Sequence, residues 1–185
     1  MKIETQDFFD LVEATGRLAI FDIEASGLKS DYNSILVASV KPFHQKPVTF
    51  LVDRPGDDRT VIKNLRDELE KYLVIVGYYS KGFDIPMLRG RLLQNNMTDI
   101  KPLLHLDMYF GLKAHVNPAR RSQAHISEWL DLEHKKLTLS PQVWNDVLAR
   151  PAKELPKLVK RCEADVVELE DIYSRCRHLI REVKK

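Results

Sequence analysis

The chain has 185 residues, of which 44% are hydrophobic and 30% are charged, and its formal net charge is +2. This composition predicts one folded domain over residues 1–185 and excludes disordered and fibrous chains; the absence of any apolar run of about 18 residues excludes a membrane-spanning helix. The acidic N-terminal segment is unlike a signal peptide, and Cys162 and Cys176 are too few for a disulfide framework, so we expect a cytoplasmic protein.

Five short apolar runs, rich in β-branched residues, predict the strands of a sheet. In chain order they cover residues 17–24, 34–41, 46–52, 73–79 and 103–107. The charge pattern of residues 57–72 predicts a helix before the fourth strand, and another helix begins near Asp84. From about residue 107 onward the pattern is helical.

This order of elements predicts an α/β fold with a mixed five-stranded sheet flanked by helices. Three strands are expected to be antiparallel and two parallel, followed by a helical C-terminal half. The order fits an RNase H-like core, although a flavodoxin-like sheet shares much of the same alternation.

Apolar residues repeat at spacings of three and four along the last segment, which predicts one long helix with a buried seam. The seam residues are Val159, Cys162, Val166, Leu169, Tyr173, Cys176, Ile180 and Val183. We therefore interpret the two cysteines as small buried side chains rather than redox or metal-binding groups. Trp129 and Trp144, which also follow helical spacing, are interpreted as core residues.

Asp22 and Glu24 lie two residues apart on the first predicted strand, so both side chains leave the same face. They occupy its carboxyl end, where the active sites of α/β sheets commonly lie. Two buried charges need a partner, and no basic residue lies within four positions of the pair. A metal cation would be such a partner, although a D-x-E triplet also arises by chance in a chain with 27 acidic residues.

Asp84 and Asp165 are two further acids with a candidate role. Asp84 lies just past a predicted strand at a helix entrance, where stabilising the helix end is the simpler interpretation. Asp165 lies on the helical-wheel stripe of Leu169 and is expected to point inward; a half-buried aspartate paired with a lysine is the alternative. By contrast, the acids expected to point outward are Glu163, Glu168 and Asp171.

Four inward carboxylates on a strand, a helix entrance and a terminal helix predict a site for two divalent cations. Two such ions can activate water for in-line attack on a phosphodiester and stabilise the leaving oxygen. Hard oxygen ligands favour Mg²⁺ or Mn²⁺ over zinc.

Three segments resemble the motifs of the DEDD-type 3′–5′ exonucleases, a class with an RNase H-like fold. They are FDIEASGL, which begins at Phe21, YYSKGFDIPML, which begins at Tyr78, and RCEADVVELEDIY, which begins at Arg161. The nearest subgroup is the YprB-like stand-alone nucleases, to which the HLDMYFGLK segment and the tryptophan helix SPQVWNDVL are also similar. The resemblance covers residues 17 to about 180.

The resemblance implies a set of catalytic, metal-binding and substrate-binding residues. The catalytic ligands of two Mg²⁺ or Mn²⁺ ions would be Asp22, Glu24, Asp84 and Asp165. Ser26, Gly27 and Leu28 match the turn that lies against the terminal nucleotide in such enzymes, and Phe83 belongs to the second motif. Asp107 matches an acid of the subgroup, although capping the following helix is the simpler interpretation.

Arg161 departs from the family pattern, which has tyrosine or histidine four residues before the last aspartate to orient or deprotonate the attacking water. Arginine stays protonated in proteins and cannot act as a base. Three interpretations remain open: Arg161 clamps a substrate phosphate, the base is another residue, or the enzyme is weakened. The candidates for another base are His105, His125 and His134.

Basic residues are concentrated in the second half of the chain. Residues 1–84 hold 11 basic and 14 acidic residues, whereas residues 85–185 hold 18 and 13. Contact with a nucleic-acid backbone is one interpretation of this excess, and a solvated surface is the other. The candidate phosphate-binding residues are Arg120, Arg121, Lys135, Lys136 and Arg161.

The four acids in this order lead to the hypothesis of a metal-dependent 3′–5′ exonuclease that acts on single-stranded 3′ ends of DNA or RNA. One alternative is a nucleic-acid-binding accessory module with weakened chemistry. Another is a structure-specific endonuclease with the same metal site. No membrane partner is expected.

Overall fold

A computed structural model describes residues 5–134 and 137–180, which form a five-stranded sheet with helices on both faces. The strands are β1 (Leu18–Ala25), β2 (Ile35–Pro42), β3 (Val48–Leu51), β4 (Val74–Gly77) and β5 (Leu104–Asp107). The helices are α1 (Thr5–Ala14), α2 (Arg59–Leu69), α3 (Asp84–Gln94), α4 (Met108–Lys113), α5 (Gln123–Trp129), α6 (Gln142–Asp146) and α7 (Pro151–Cys176), followed by a 3₁₀ turn (Arg177–Leu179).

The strand order of the sheet is β3-β2-β1-β4-β5. β1 pairs antiparallel with β2, and β2 pairs antiparallel with β3. β4 lies parallel to β1, and β5 lies parallel to β4. The predicted mixed sheet is therefore confirmed, and the carboxyl ends of β1, β4 and β5 meet at one edge, where ligand sites of open α/β sheets form.

The pleat of β1 directs alternate side chains into two separate cores. Phe21 belongs to a core beneath α2 and α3, whereas Leu18 and Ile20 belong to a second core beneath α1, α4 and α7. Asp22 and Glu24 follow Leu18 and Ile20 on the same face, because successive side chains of a strand alternate. The two carboxylates therefore lie on the face of β1 that carries Leu18 and Ile20, just beyond the second core.

α7 crosses the sheet and contributes to both cores. Leu158 and Cys162 pack into the first core, and Leu169 and Tyr173 pack into the second. All four side chains are at least 99% buried, so their transfer from water stabilises the docked helix by about 1.5–3 kcal/mol per large side chain. The predicted seam and the buried state of both cysteines are confirmed here.

The ends of α7 differ from the predicted ones. The helix begins at Pro151, before the seam, because the missing proline amide costs little in a first turn. Pro156 lies inside the helix. After Cys176 the chain continues as a 3₁₀ turn, so Ile180 is buried beyond the helix, and Val183 lies outside the described residues.

Two side chains lie elsewhere than the helical spacing predicts, and a third agrees in part. Trp129 is 50% exposed rather than in the core, whereas Trp144 is half-buried and packs against the first core. Glu168, which we expected to point outward, is fully buried, because a residue three positions after Asp165 lies on nearly the same side of the helix.

Among the helices of the described ranges, none combines the length and apolar character that crossing a bilayer requires.

Candidate active site

Three acidic side chains meet where β1 ends beneath α7. Asp22 and Glu24 come from the strand and Asp165 from the helix, and one carboxylate oxygen of each lies within 4.8 Å of the others. Glu24 and Asp165 are buried, and Asp22 is half-buried. Like charges this close repel one another strongly at reduced solvent exposure, so the cluster favours bound positive charge.

Asp84, the first residue of α3, lines the same cavity, which has a volume of about 310 Å³. Burial raises the pKa of Asp84 to about 7, although backbone hydrogen bonds of Asp84 and Ile23 lower it in part. The negative charges of Asp107 and Glu24 raise it further. The structure thus clusters three of the four predicted ligands and leaves Asp84 on the wall of their cavity.

Arg161 reaches into this cavity as a fixed cation. Its Nε donates a hydrogen bond to Glu24 Oε1 at 2.6 Å, and its Nη2 lies 3.6 Å from Asp165 Oδ2. Nη1 donates to the carbonyl oxygen of Leu137 at 2.9 Å. The guanidinium of Arg161 therefore contacts two of the clustered acids, and its binding of a substrate phosphate stays a prediction.

Trp144 of α6 completes the surroundings of Glu24. Its indole nitrogen donates to Glu24 Oε2 at 3.2 Å, so each carboxylate oxygen of Glu24 accepts one hydrogen bond. The guanidinium of Arg161 lies 5.1 Å from the centre of the Trp144 ring, within the range of a cation–π interaction. Trp144 thus packs against the first core with part of its ring and also contacts the site.

Two further side chains fix the backbone around the acids. The Cys162 thiol lies 3.4 Å from the carbonyl oxygen of Asp22 and 3.6 Å from its Oδ2, and burial raises the pKa of this thiol, which keeps it protonated. On the other side, Gln123 Nε2 donates to the carbonyl oxygen of Asp165 at 2.9 Å and to Glu168 Oε2 at 2.7 Å.

The predicted substrate-binding turn lies beside the cavity. Leu28 is 78% exposed and lines it together with Phe83. Ser26 Oγ accepts a hydrogen bond from the amide of Ser34 at 3.0 Å and braces the turn. Gly27 packs so closely that an added Cβ would lie 2.4 Å from Asn33 Oδ1. Of the other predicted substrate contacts, Lys136 lies outside the described residues.

Asp107 caps α4, as its position predicts, because its carboxylate accepts a hydrogen bond from the amide of Tyr109 at 3.0 Å. It also accepts from the amides of Tyr79 at 2.9 Å and Lys81 at 2.8 Å. Burial raises the pKa of Asp107, and these amide donors oppose the rise. Asp107 thus ties the loop after β4 to the end of β5.

No histidine is among the described residues that line the carboxylate cavity. His105 faces a different cavity and shares a 2.8 Å hydrogen bond with Ser80 Oγ; burial lowers its pKa to about 4. His134 pairs with Asp171 at 2.7 Å. The histidines considered as alternative bases therefore do not border the clustered acids.

Several residues around the acids were not identified from the sequence. They are Trp144, Gln123 and Tyr79. Each is distant in sequence from Glu24 and from Asp165, or follows no local pattern that connects it with these acids. Glu168 carried a signal, namely its spacing of three from Asp165 on one helix.

The sequence model of the RNase H superfamily matches residues 19–177 of this chain. No curated protein matches it. Among solved structures, the family B DNA polymerase from the hyperthermophilic archaeon Pyrobaculum calidifontis is similar, with a TM-score of 0.67 and 20% sequence identity over 86% of this chain. The chain covers 24% of that polymerase, and at this identity the similarity shows the fold alone. The family match and the structural similarity confirm the predicted RNase H-like fold over the flavodoxin-like alternative.

Proposed function

Because the chain belongs to the RNase H superfamily, we propose that it is a metal-dependent nuclease that removes nucleotides from single-stranded 3′ ends of DNA or RNA. The observation that carries the proposal is the cluster of Asp22, Glu24 and Asp165, with oxygens within 4.8 Å of one another and Asp84 on the wall of the same cavity. The 3′ polarity comes from the resemblance of the motifs to the DEDD-type exonucleases.

The donor set fits divalent cations. All four acids offer carboxylate oxygens, the ligand type that Mg²⁺ and Mn²⁺ prefer, and they converge on one cavity. The raised pKa of Asp84 is compatible with such a site, because burial and the neighbouring carboxylates of Asp107 and Glu24 disfavour its charged form, which a bound cation would favour. Two bound ions would supply an activated water and stabilise the leaving oxygen.

The surrounding side chains orient the acids. The Trp144 indole donates a hydrogen bond to Glu24 and thereby orients the Glu24 carboxylate. The Cys162 thiol, which contacts Asp22 Oδ2, orients the Asp22 carboxylate in the same way. Gln123 restrains the backbone at Asp165. Acids held in this way need little rearrangement of their own, apart from displacement of Arg161, which favours precise placement of the scissile phosphate.

Leu28 and Phe83 are the residues proposed to hold the terminal nucleotide. Both line the cavity, and the exposed side chain of Leu28 offers an apolar surface beside the acids. Contacts with the terminal base would place its phosphate over the carboxylates. Ser26 and Gly27 would act indirectly, by fixing the turn that carries Leu28.

The proposal is tested with a linear single strand, labelled at its 3′ or its 5′ end, in the presence of Mg²⁺ or Mn²⁺. We expect release of 3′-terminal mononucleotides and no cleavage of a closed circular strand. Asp22→Asn should abolish release, while Asp57→Asn, a charge-matched change at an exposed acid, should leave it intact. Activity that survives Asp22→Asn would contradict the metal site, and cleavage of the circle would favour the endonuclease.

One observation favours a second candidate function, an accessory module that binds nucleic acid with weakened chemistry. Arg161 stands where the resembling family has a tyrosine or histidine, and it pairs with Glu24. Arg161→Tyr discriminates between the two functions. A large gain in hydrolysis from a near-zero baseline would favour the accessory module, whereas a loss from an active baseline would support a working nuclease that uses its arginine.

A further inference from the structure

We propose that the exposed Tyr79 ring, braced edge-to-face by Tyr109, forms a stacking platform for the base of the nucleotide that precedes the 3′-terminal one, with Arg121 beside it for a backbone phosphate. This inference rests on the proposed function, because it assigns a second subsite to the same cleft. Tyr79 and Tyr109 lie within the segments YYSKGFDIPML and HLDMYFGLK, but the resemblance assigns no role to either ring.

The carboxylate cavity and a second cavity meet at Asp22, and together they form one cleft with two arms. The second cavity, of about 470 Å³, shares Asp22, Tyr78 and Tyr79 with the carboxylate cavity and continues along Tyr109 and Arg121. Its volume falls in the range of small-molecule sites and suffices for a nucleotide. A strand whose last base lies beside Leu28, with its scissile phosphate at the acids, would continue into this second arm.

The Tyr79 ring on the wall of the second arm is exposed, and other rings pack against it. Tyr79 is 47% exposed, and Tyr109, which lines the same cavity, is half-buried. The Tyr79 and Tyr109 ring centres lie 5.0 Å apart at an interplanar angle of 76°, and Phe110 lies 5.8 Å from Tyr79. Exposed aromatic rings beside a charged groove are the usual stacking surface for single strands, because every base has a π-face.

The backbone of Tyr79 is held in an unfavourable conformation. Its φ is 57°, in the left-handed region, which is unfavourable for a bulky side chain. The Asp107 carboxylate accepts hydrogen bonds from the amides of both Tyr79 and Tyr109, so one buried group positions both platform residues. Gly82 gives the Tyr79 ring room, since a Cβ there would lie 2.5 Å from it.

The charge beside the platform suits a polyanion. Arg121 lines the second cavity, and Tyr78 ties its backbone in place by donating a hydrogen bond to its carbonyl oxygen at 2.7 Å. Arg121 donates to the exposed side chain of Asn117 at 3.0 Å, while its buried Nε finds no acceptor among the described residues. A phosphate oxygen is an acceptor that a guanidinium binds well.

The test uses single strands that carry 2-aminopurine, a fluorescent base quenched by stacking, at the next-to-last or the sixth position from the 3′ end. Binding is measured with Mg²⁺ in an Asp165→Asn background, so that the strand is not consumed. Tyr79→Asn removes the ring while tolerating a left-handed backbone. Tyr79→Phe keeps the ring and is the matched control.

We expect the protein to quench the next-to-last base more than the sixth. Tyr79→Asn should remove this difference and weaken strand binding about tenfold, whereas Tyr79→Phe should preserve both. Tyr109→Leu tests the second ring, and thermal unfolding of each variant checks that it is folded. Quenching that persists in Tyr79→Asn, or that is equal at the two positions, would overturn the platform.

Failure of this inference is distinguishable from failure of the proposed function, because quenching does not require cleavage. A protein that cleaves labelled strands but shows no Tyr79-dependent quenching would refute only the platform. A protein that shows the quenching but cleaves no strand would refute the nuclease and retain the subsite.

Discussion

Two donors hold Glu24 from different sides, Arg161 through its Nε and Trp144 through its indole nitrogen. Arg161 thus places a tethered positive charge between Glu24 and Asp165, the acids proposed to bind divalent cations. A metal ion and the guanidinium compete for the same oxygens, so the arginine should stabilise the metal-free protein and weaken metal binding.

We predict that Arg161→Gln lowers the metal-free free energy of unfolding by about 3 kcal/mol, because it removes the guanidinium that pairs with the buried carboxylates of Glu24 and Asp165. The same change should tighten Mn²⁺ binding about tenfold, since one competing charge is removed. Denaturation in EDTA and calorimetric titration with Mn²⁺ measure the two effects. Arg161→Lys, which keeps the charge, should lie nearer the unmodified protein; equal Mn²⁺ affinity in all three would contradict the competition.

His105 provides a pH-dependent prediction. Burial lowers its folded pKa from 6.5 to about 4, so the folded state binds fewer protons than the unfolded state between these values. Its contribution to stability is present above pH 6.5 and is lost as pH falls toward 4. Urea unfolding from pH 4 to 7 should show His105→Gln losing less stability on acidification than the unmodified protein, by up to about 3 kcal/mol. Parallel curves would contradict the buried neutral imidazole.

At the scale of elements, the end of β5 and the loop after β4 are joined through one carboxylate. Asp107 accepts amide hydrogen bonds from Tyr79, Lys81 and Tyr109, so it fixes the loop that leads into α3 and caps α4 at the same time. The proposed platform therefore depends on the contact between two strand ends rather than on either segment alone.

We predict that Asp107→Asn destabilises the protein by about 1–2 kcal/mol, because a neutral amide is a weaker acceptor and offers one oxygen instead of two. Hydrogen exchange should quicken at the amides of Tyr79, Lys81 and Tyr109 and stay unchanged in α2. Asp99→Asn, at an exposed acid paired with Arg89, is the control. Unchanged exchange in the loop would show that Asp107 does not hold it.

The elements themselves could largely be predicted from the sequence, because each strand carries its own apolar pattern. The shared face of Asp22 and Glu24 followed from the two-residue period of β1 alone. The partners of those acids could not be predicted, since Arg161 is 137 residues from Glu24 and meets it only through the way α7 crosses the sheet. The left-handed backbone conformation of Tyr79 could not be predicted either, because aromatic residues rarely adopt that conformation.

At the scale of the whole molecule, the charge is nearly balanced, with 29 basic and 27 acidic residues. Part of the acidic charge is concentrated in the cleft, where bound divalent ions would offset it. Strand binding should therefore depend on a few local contacts, such as those proposed for Arg121 and the bound ions, rather than on a broad basic surface.

We predict a weak salt dependence of single-strand binding. With about two phosphates neutralised by side chains, affinity should fall about 5- to 10-fold between roughly 50 and 200 mM salt. Fluorescence anisotropy of a labelled strand at constant Mg²⁺ measures the slope, and Arg121→Gln should reduce it. A fall of a thousandfold or more would contradict binding through a few local contacts.

The crossing of α7 over the sheet also bears on how the protein is made. Asp165 enters the cleft only when this helix docks, and the side chains that dock it, among them Leu169 and Tyr173, are the last large apolar groups of the helix to leave the ribosome. A nascent chain that has folded β1 to β5 still lacks one of its clustered carboxylates. Synthesis order therefore delays assembly of the cleft until nearly the whole described chain has emerged, so the proposed activity would begin only at that stage.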